Sequence, residues 1–334
     1  MPTFRVLVAY DGTDFVGWQR QASGVSIQGL LEEALKPLEG RSVTVTGAGR
    51  TDAGVHALGQ VAAFSLERPI DPATIVRALN ARLPPDVRAT FAEEVPSAFR
   101  VRFDARSKTY RYRIWNADVV PPFERRYVWH LTGALDLAAM NAAARMLEGT
   151  HDFAAFQASG GDAESTTRTV MASRVMGTGR AGRSGGSGRA DGLCGTDGTK
   201  RREETNKEGE SMRRESSVLS HLSDLSHLSH LSHTTYPTHL TDPTCLTDPT
   251  HLTYPTSPAR APLVLYEIIG DGFLRHMVRA IVGTLVEIGR RRRPPEWMGE
   301  VLASRTRTAA GRSAPACGLF LVSVDYGDAV AAEP

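Results

Sequence analysis

Cysteine is nearly absent. Only 3 occur in 334 residues, and Cys194 and Cys245 fall in an atypical central stretch, so Cys317 alone can found neither a disulfide framework nor a zinc knuckle. No run approaches the roughly eighteen apolar residues of a membrane span, and Met1-Pro-Thr-Phe-Arg-Val reads as a strand rather than a secretory signal. No glycine-rich loop ends in Gly-Lys-Ser or Gly-Lys-Thr, which removes the phosphate-cradling P-loop. Secreted disulfide scaffolds, membrane proteins, zinc modules and P-loop enzymes are thereby excluded, and a soluble cytoplasmic protein is expected.

What the chain does contain is unevenly placed charge. The formal net charge is only +2, yet between Phe99 and Arg126 eight Lys or Arg face three Asp or Glu, and between Leu274 and Arg293 six face one. Either stretch alone reads as a solvated strand or helix face. Two concentrated positive stretches in one chain fit a polyanionic partner better than the global figure suggests.

Residues 177–261 are unlike the rest. The segment opens with Gly, Ser and Arg and passes through a run in which Lys and Arg balance Asp and Glu. Leu-Ser-His then recurs at three-residue spacing up to His233, and a Pro-Thr-x-Leu-Thr-x unit runs from Pro237 to Thr256. Proline at that interval forbids helix and strand interiors, and too little apolar area exists to offset chain entropy, so a disordered insertion is expected. Six of the 10 histidines lie there; repeat expansion explains them without a metal-binding tract, and no metal is expected. Setting the segment aside leaves about 250 residues, room for two compact domains.

The remainder reads as alternating strands and helices. Phe4, Val6, Val8 and Tyr10 share one side of a strand closed by the Asp11-Gly12 turn. Ser26 caps a helix whose Leu30, Leu31, Ala34, Leu35 and Leu38 recur at helical spacing until Gly40. Short strands over 43–46 and 60–66 flank a loop, and Asp71-Pro72 opens a second helix carrying Ile75, Val76, Leu79 and Leu83. This first unit spans residues 1–104. The second, 105–330, starts with a strand over 108–115 that sets Tyr110, Tyr112 and Ile114 on one face and Arg111 and Arg113 on the other. A helix over 137–148, capped by Asp136, follows, and strands over 170–176 and 263–269 read as one hairpin interrupted by the repetitive segment. An amphipathic helix over 274–288 buries Val278, Ile281, Val282, Leu285 and Ile288 and leaves Arg275 and Arg279 at the edge of its apolar arc. A short helix over 297–302 and a strand over 319–326 complete the order. Such units predict an α+β fold with a mainly antiparallel sheet, helices on one face and the other face free.

The run Gly47-Ala-Gly-Arg-Thr-Asp-Ala-Gly-Val-His-Ala-Leu-Gly-Gln60 carries the chemistry. It sets Asp52 two residues from Arg50, whose guanidinium favours the ionised carboxylate, inside a loop that glycines 47, 49 and 54 allow to hinge and to be approached closely. That is the layout of an activated nucleophile. An ordinary surface loop with an Arg–Asp pair fits the same spacing, so the residues alone leave both readings open.

The full string resembles the active-site motif of the tRNA pseudouridine synthase A family, which carries its catalytic aspartate in Gly-Arg-Thr-Asp-Ala-Gly-Val-His. Companions match in order: Tyr10-Asp-Gly-Thr, Gly17-Trp-Gln-Arg-Gln, Lys108-Thr-Tyr-Arg-Tyr, His151-Asp-Phe, Phe273-Leu-Arg-His-Met-Val-Arg and Gly318-Leu-Phe-Leu-Val, spanning nearly everything except 177–261. The resemblance implies two ferredoxin-like, RRM-like α/β sandwich domains, 1–104 and 105–330, and an enzyme isomerising uridine at positions 38, 39 and 40 of the tRNA anticodon stem-loop.

It also implies roles. Asp52 is the nucleophile, Tyr110 stacks on the uracil and takes its C5 proton, Arg279 pairs with the aspartate, and Arg50 fills the space left by the flipped base. Leu319 and Phe320 line the pocket floor, or are simply core strand residues. From their side-chain chemistry, Trp18, Gln19, Arg20 and Gln21 form an RNA-contact set, and Lys108, Arg111, Arg275 and the 290–293 arginines attract the phosphate backbone. His56 reads as a hydrogen-bonded support rather than a base. No cofactor is expected, because the isomerisation neither adds nor removes an atom. The family is a homodimer in which each tRNA touches both subunits; no other protein partner is expected. The same chemistry on another RNA, and a non-catalytic RNA-binding module, are the rival readings.

Overall fold

Among the described residues, alternation and capping produce fifteen helices and strands: β1 (Thr3–Tyr10), α1 (Ile27–Glu39), β2 (Thr46–Gly47), β3 (His56–Ser65), α2 (Pro72–Asn80), β4 (Val87–Val95), β5 (Ser107–Asn116), β6 (Trp129–Leu131), α3 (Leu137–Arg145), β7 (Gly149–Asp152), β8 (Thr167–Gly177), β9 (Leu263–Gly270), α4 (Met277–Gly289), α5 (Trp297–Ser304) and β10 (Leu319–Asp325). They come from a computed structural model that describes residues 1–158, 160, 164–177 and 262–327. Apart from Gly177, the repetitive segment and its expected disorder lie outside the described residues.

The caps explain where the helices start. Ser26 accepts from Gly29 N–H at the head of α1, Asp71 from Thr74 N–H at α2, and Asp136 from Ala139 N–H at α3, each satisfying a donor that a helix leaves unpaired. Gly40, at φ 77, stops α1. The last long helix differs from expectation: it begins at Met277, not Leu274, because His276 adopts φ 61 and breaks the helical path before it.

The strands join in one sheet of order β4-β1-β3-β10-β5-β9-β8-β7, with β2 on β3 and β6 on β5. Pairing is antiparallel except for β3–β10 and β5–β6. β8 and β9 pair as the expected hairpin, Gly177 opposite Val264. β10, from the far end of the chain, lies between β3 and β5 and so brings the two halves of the sequence into one sheet. The mixed α/β architecture with its largely antiparallel sheet follows the expected class.

On β1, Phe4, Val6, Val8 and Tyr10 are buried, and on β5 Tyr110, Tyr112 and Ile114 are, as a period of two requires. α4 is buried almost all round, and each of Ile281, Val282 and Leu285 contributes about 1.5–3 kcal/mol by leaving water. A smaller cluster of Val61, Ala63, Val101 and Tyr326 covers the opposite face of β3. Among the described residues no helix is long and apolar enough to cross a membrane.

Candidate active site

Asp52 sits on the loop between β2 and β3, tied down at several points. Ala48 N–H donates to Val61 O (2.8 Å) and Trp18 N–H to Thr51 O (3.0 Å). The Gln60 amide donates to Gly49 O (2.9 Å), and Val55 N–H to Asp52 O (3.1 Å). Glycine is needed at two places: Gly54 has φ 75, and a Cβ on Gly47 would come within 2.4 Å of the Trp18 indole. Gly49, expected to share that task, needs neither freedom.

The basic side chains that face Asp52 come from about 225 residues later in the chain. Arg279 Nη1 lies 3.5 Å and His276 Nε2 3.4 Å from Asp52 Oδ2. Arg279 is aimed by backbone: its Nε donates to Ala314 O (2.8 Å), while Ala314 N–H donates to Arg279 O (2.9 Å). The segment bearing Ala314 runs so close to α4 that any side chain at Gly283 would overlap the Arg312 carbonyl. Asp52 keeps 26% of its side chain exposed, so the carboxylate is held but open to a ligand.

Tyr110 enters from β5, opposite Leu321 of β10 and Ile268 of β9. Its ring meets Phe273 edge-on at 5.1 Å. Burial, then Tyr10 and the negative charge of Asp52, push its hydroxyl above the ordinary value of 10, so the phenol is protonated at neutral pH. Asp52, Tyr110 and Arg279 therefore converge from a loop, a strand and a helix.

The other expected residues are more scattered. Lys108 passes over Gly49; burial, Arg102 and Arg168 lower its pKa against the pull of Asp271. Arg275 is exposed, with Nη1 3.5 Å from Gly160 O. Arg20 pairs with Glu32 (3.2 Å) and Glu33 (3.9 Å) on α1. Arg50 is exposed on the loop, and Thr51 between it and Asp52 is turned inward. Among the described residues the basic side chains within 4.0 Å of the Asp52 carboxylate are Arg279 of α4 and His276 just before it, rather than Arg50.

Trp18 corrects an expectation. Only 3% exposed and packed beside Tyr10 and Gly47, it has no face to offer a base. Phe320 is buried and stacks on His56 at 4.7 Å. His56 accepts from Gly12 N–H at Nδ1 (3.0 Å) and donates from Nε2 to Cys317 O (3.1 Å), which holds the start of β3 to the start of β10. The place of His276 beside Asp52 has no local sequence signal, because its φ of 61 takes it out of the helical path that the periodicity suggests.

A hollow of about 680 Å³ beside Arg41, Phe99, Arg102 and Phe103 includes none of these groups. Among the described residues no group of three or more His, Cys, Asp or Glu could hold a metal ion.

The profile of the tRNA pseudouridine synthase family matches residues 6–104, 143–192 and 200–327. The chain belongs to the tRNA pseudouridine synthase family. It is an isomerase of that family, and its relatives match from end to end. It is 36% identical over 328 residues to tRNA pseudouridine synthase A of Moorella thermoacetica, covering 98% of this chain and 100% of the other. The protein of that name from Solibacter usitatus is 37% identical over 330 residues, covering 98% and 100%, and that from Myxococcus xanthus 35% over 328, covering 98% and 93%.

Proposed function

We propose that this isomerase converts uridine to pseudouridine at positions 38, 39 and 40 of the tRNA anticodon stem-loop, with Asp52 as its nucleophile. One observation carries the reading: a partly exposed carboxylate on a hinged loop, 3.5 Å from Arg279 and within electrostatic reach of Tyr110. The Gly49-Arg-Thr-Asp52 string and the name shared by the relatives support the tRNA substrate.

In the reaction the N1–C1′ bond breaks, the uracil turns, and C5 bonds to C1′. The proton that leaves C5 is balanced by one gained at N1. Asp52 has three routes: attack on uracil C6, attack on C1′, or removal of the C2′ proton. Arg279 stabilises the carboxylate until one of them begins. A base within a stem must first leave the stack, and Arg50, exposed on the same loop, fills the vacated space and holds the flipped nucleotide. Tyr110 stacks on the uracil, and its hydroxyl, a neutral phenol, relays the C5 proton by passing its own proton on toward N1 as the new one arrives. Arg20, Lys108 and Arg275 attract phosphates from the surrounding surface.

The working unit is a cytoplasmic homodimer in which each tRNA touches both subunits, needs no cofactor, and divides into domains 1–104 and 105–330. Mapping pseudouridines in RNA from cells with and without this gene tests the substrate; loss at tRNA positions 38 to 40 is expected, and loss from another RNA overturns the assignment. Asp52→Asn should abolish turnover while tRNA affinity stays within about a few-fold. Retained turnover ends the nucleophile role.

A further inference from the structure

We propose that His276 is a positioning residue for Asp52, sharing Oδ2 with Arg279 so that Oδ1 is turned toward the extruded base. The inference rests on the Asp52 reading above. His276 Nε2 is 3.4 Å from Oδ2, at the outer limit of a hydrogen bond, a distance that catalytic contacts commonly shorten when substrate binds. Among the described residues both nitrogens make their recorded approach to the same carboxylate oxygen, Oδ2.

The backbone supports the assignment. His276 has φ 61 and ψ 3, a left-handed conformation uncommon for a residue with a Cβ, and its side chain does not cap α4 although it occupies the capping position. It is held there from both sides: Ala158 N–H donates to Arg275 O (3.1 Å), and Ala280 N–H to His276 O (2.9 Å). An imidazole that ignores the helix end and faces the carboxylate is what such a conformation achieves. The charged groups around it are Asp52 from the β2–β3 loop, Arg275 and Arg279 at the head of α4, and Arg307 from the 3₁₀ turn Arg307–Ala309. Burial comes first in lowering its pKa, Asp52 opposes it, and Arg279, Arg275 and Arg307 add to the lowering, so the ring is neutral at neutral pH and donates one N–H.

Three variants separate side chain from backbone. His276→Gly accepts φ 61 without cost and removes the imidazole. His276→Gln keeps a donor of similar reach, and His276→Glu has the shape of Gln with only acceptors. On tRNA transcript, His276→Gly should lower kcat roughly 10- to 100-fold with KM within about twofold, since a misplaced reacting group costs rate rather than binding. His276→Gln should stay within about fivefold of the parent, and His276→Glu should fall at least as far as Gly. If the Gly variant does not fold, the Gln against Glu contrast decides alone. Full kcat in Gly and Glu, a loss confined to KM, or Gln no better than Glu overturns the proposal. Asp52→Asn run alongside separates the two readings: turnover there sinks the nucleophile itself, whereas an inactive Asp52→Asn with a fully active His276→Gly sinks only this inference.

Discussion

The hydroxyls of Tyr10 and Thr51 lie 2.8 Å apart in the interior, joining the last residue of β1 to the residue before Asp52. The catalytic loop is therefore anchored to the sheet by a side-chain bond as well as by its backbone.

Tyr10→Phe tests that anchor. Burial pushes the Tyr10 hydroxyl to about 12, against the opposing bond to Thr51, so it remains a neutral phenol throughout the working range. Removing it strands the Thr51 hydroxyl, itself 7% exposed, and should cost about 1–2 kcal/mol of stability. A looser Asp52 should also lose roughly tenfold in kcat. Urea unfolding and single-turnover rates measure the two effects; an unchanged kcat would mean that the backbone bonds alone hold the loop.

Much of this arrangement could be read from local sequence, and the rest could not for identifiable reasons. Ser26, Asp71 and Asp136 cap the helices they were expected to cap because capping is a contact within one turn. β4 lacks a clear sequence signal: Val87–Val95 lies at the sheet edge, pairs among the described residues only with β1, across a bulge, and carries Glu93 and Glu94, which blur its alternation. The parallel pairing of Phe320 with His56 has no local signal at all. At the site, Asp52 stands out through its glycines, whereas the nearness of Arg279 and His276 to it depends on the fold. His276 was hidden because hydrophobic periodicity carries the helix straight through a residue whose φ is positive.

His56 makes stability depend on pH. Its ring is buried, and burial lowers its pKa from the ordinary 6.5 despite the opposing pull of Asp11. The unfolded chain thus binds more protons than the folded one between the folded value and 6.5, so stability rises with pH through that window and is lost as pH falls below 6.5. His276 acts in the same direction. Asp11 contributes in a lower window: burial would raise its carboxyl, but Thr13, Tyr127 and His56 together lower it below 3.8, so its share goes only in stronger acid. Thermal unfolding across mildly acidic pH should show a shallower slope for His56→Gln than for the parent. Equal slopes would assign the window to His276.

Tyr110→Phe separates two jobs of one ring. The variant keeps the stacking face and the contact with Phe273, and loses only the hydroxyl. If that hydroxyl relays the C5 proton, giving up its own as the new one arrives, kcat should drop roughly 100-fold or more while KM for tRNA changes little. Rapid-quench turnover with a labelled uridine reads the step directly. A full rate in Tyr110→Phe would reduce the residue to a platform.

Removing residues 180–258 asks whether the repetitive segment matters to catalysis. Its flanks leave the sheet side by side, since Gly177 of β8 is paired with Val264 of β9, and Thr178, Gly179 and residues 259–262 suffice to turn between them. Loop-closure cost grows only slowly with length, so the shorter connection should not destabilise the hairpin and should raise stability by up to about 2 kcal/mol. None of Asp52, Tyr110, His276 or Arg279 lies in the deleted stretch. Turnover on tRNA should therefore stay within about twofold of the full chain, with the melting temperature unchanged or slightly higher. A selective rise in KM would show that the segment carries RNA-binding groups of its own, and a collapse of folding would show that the β8–β9 hairpin depends on it.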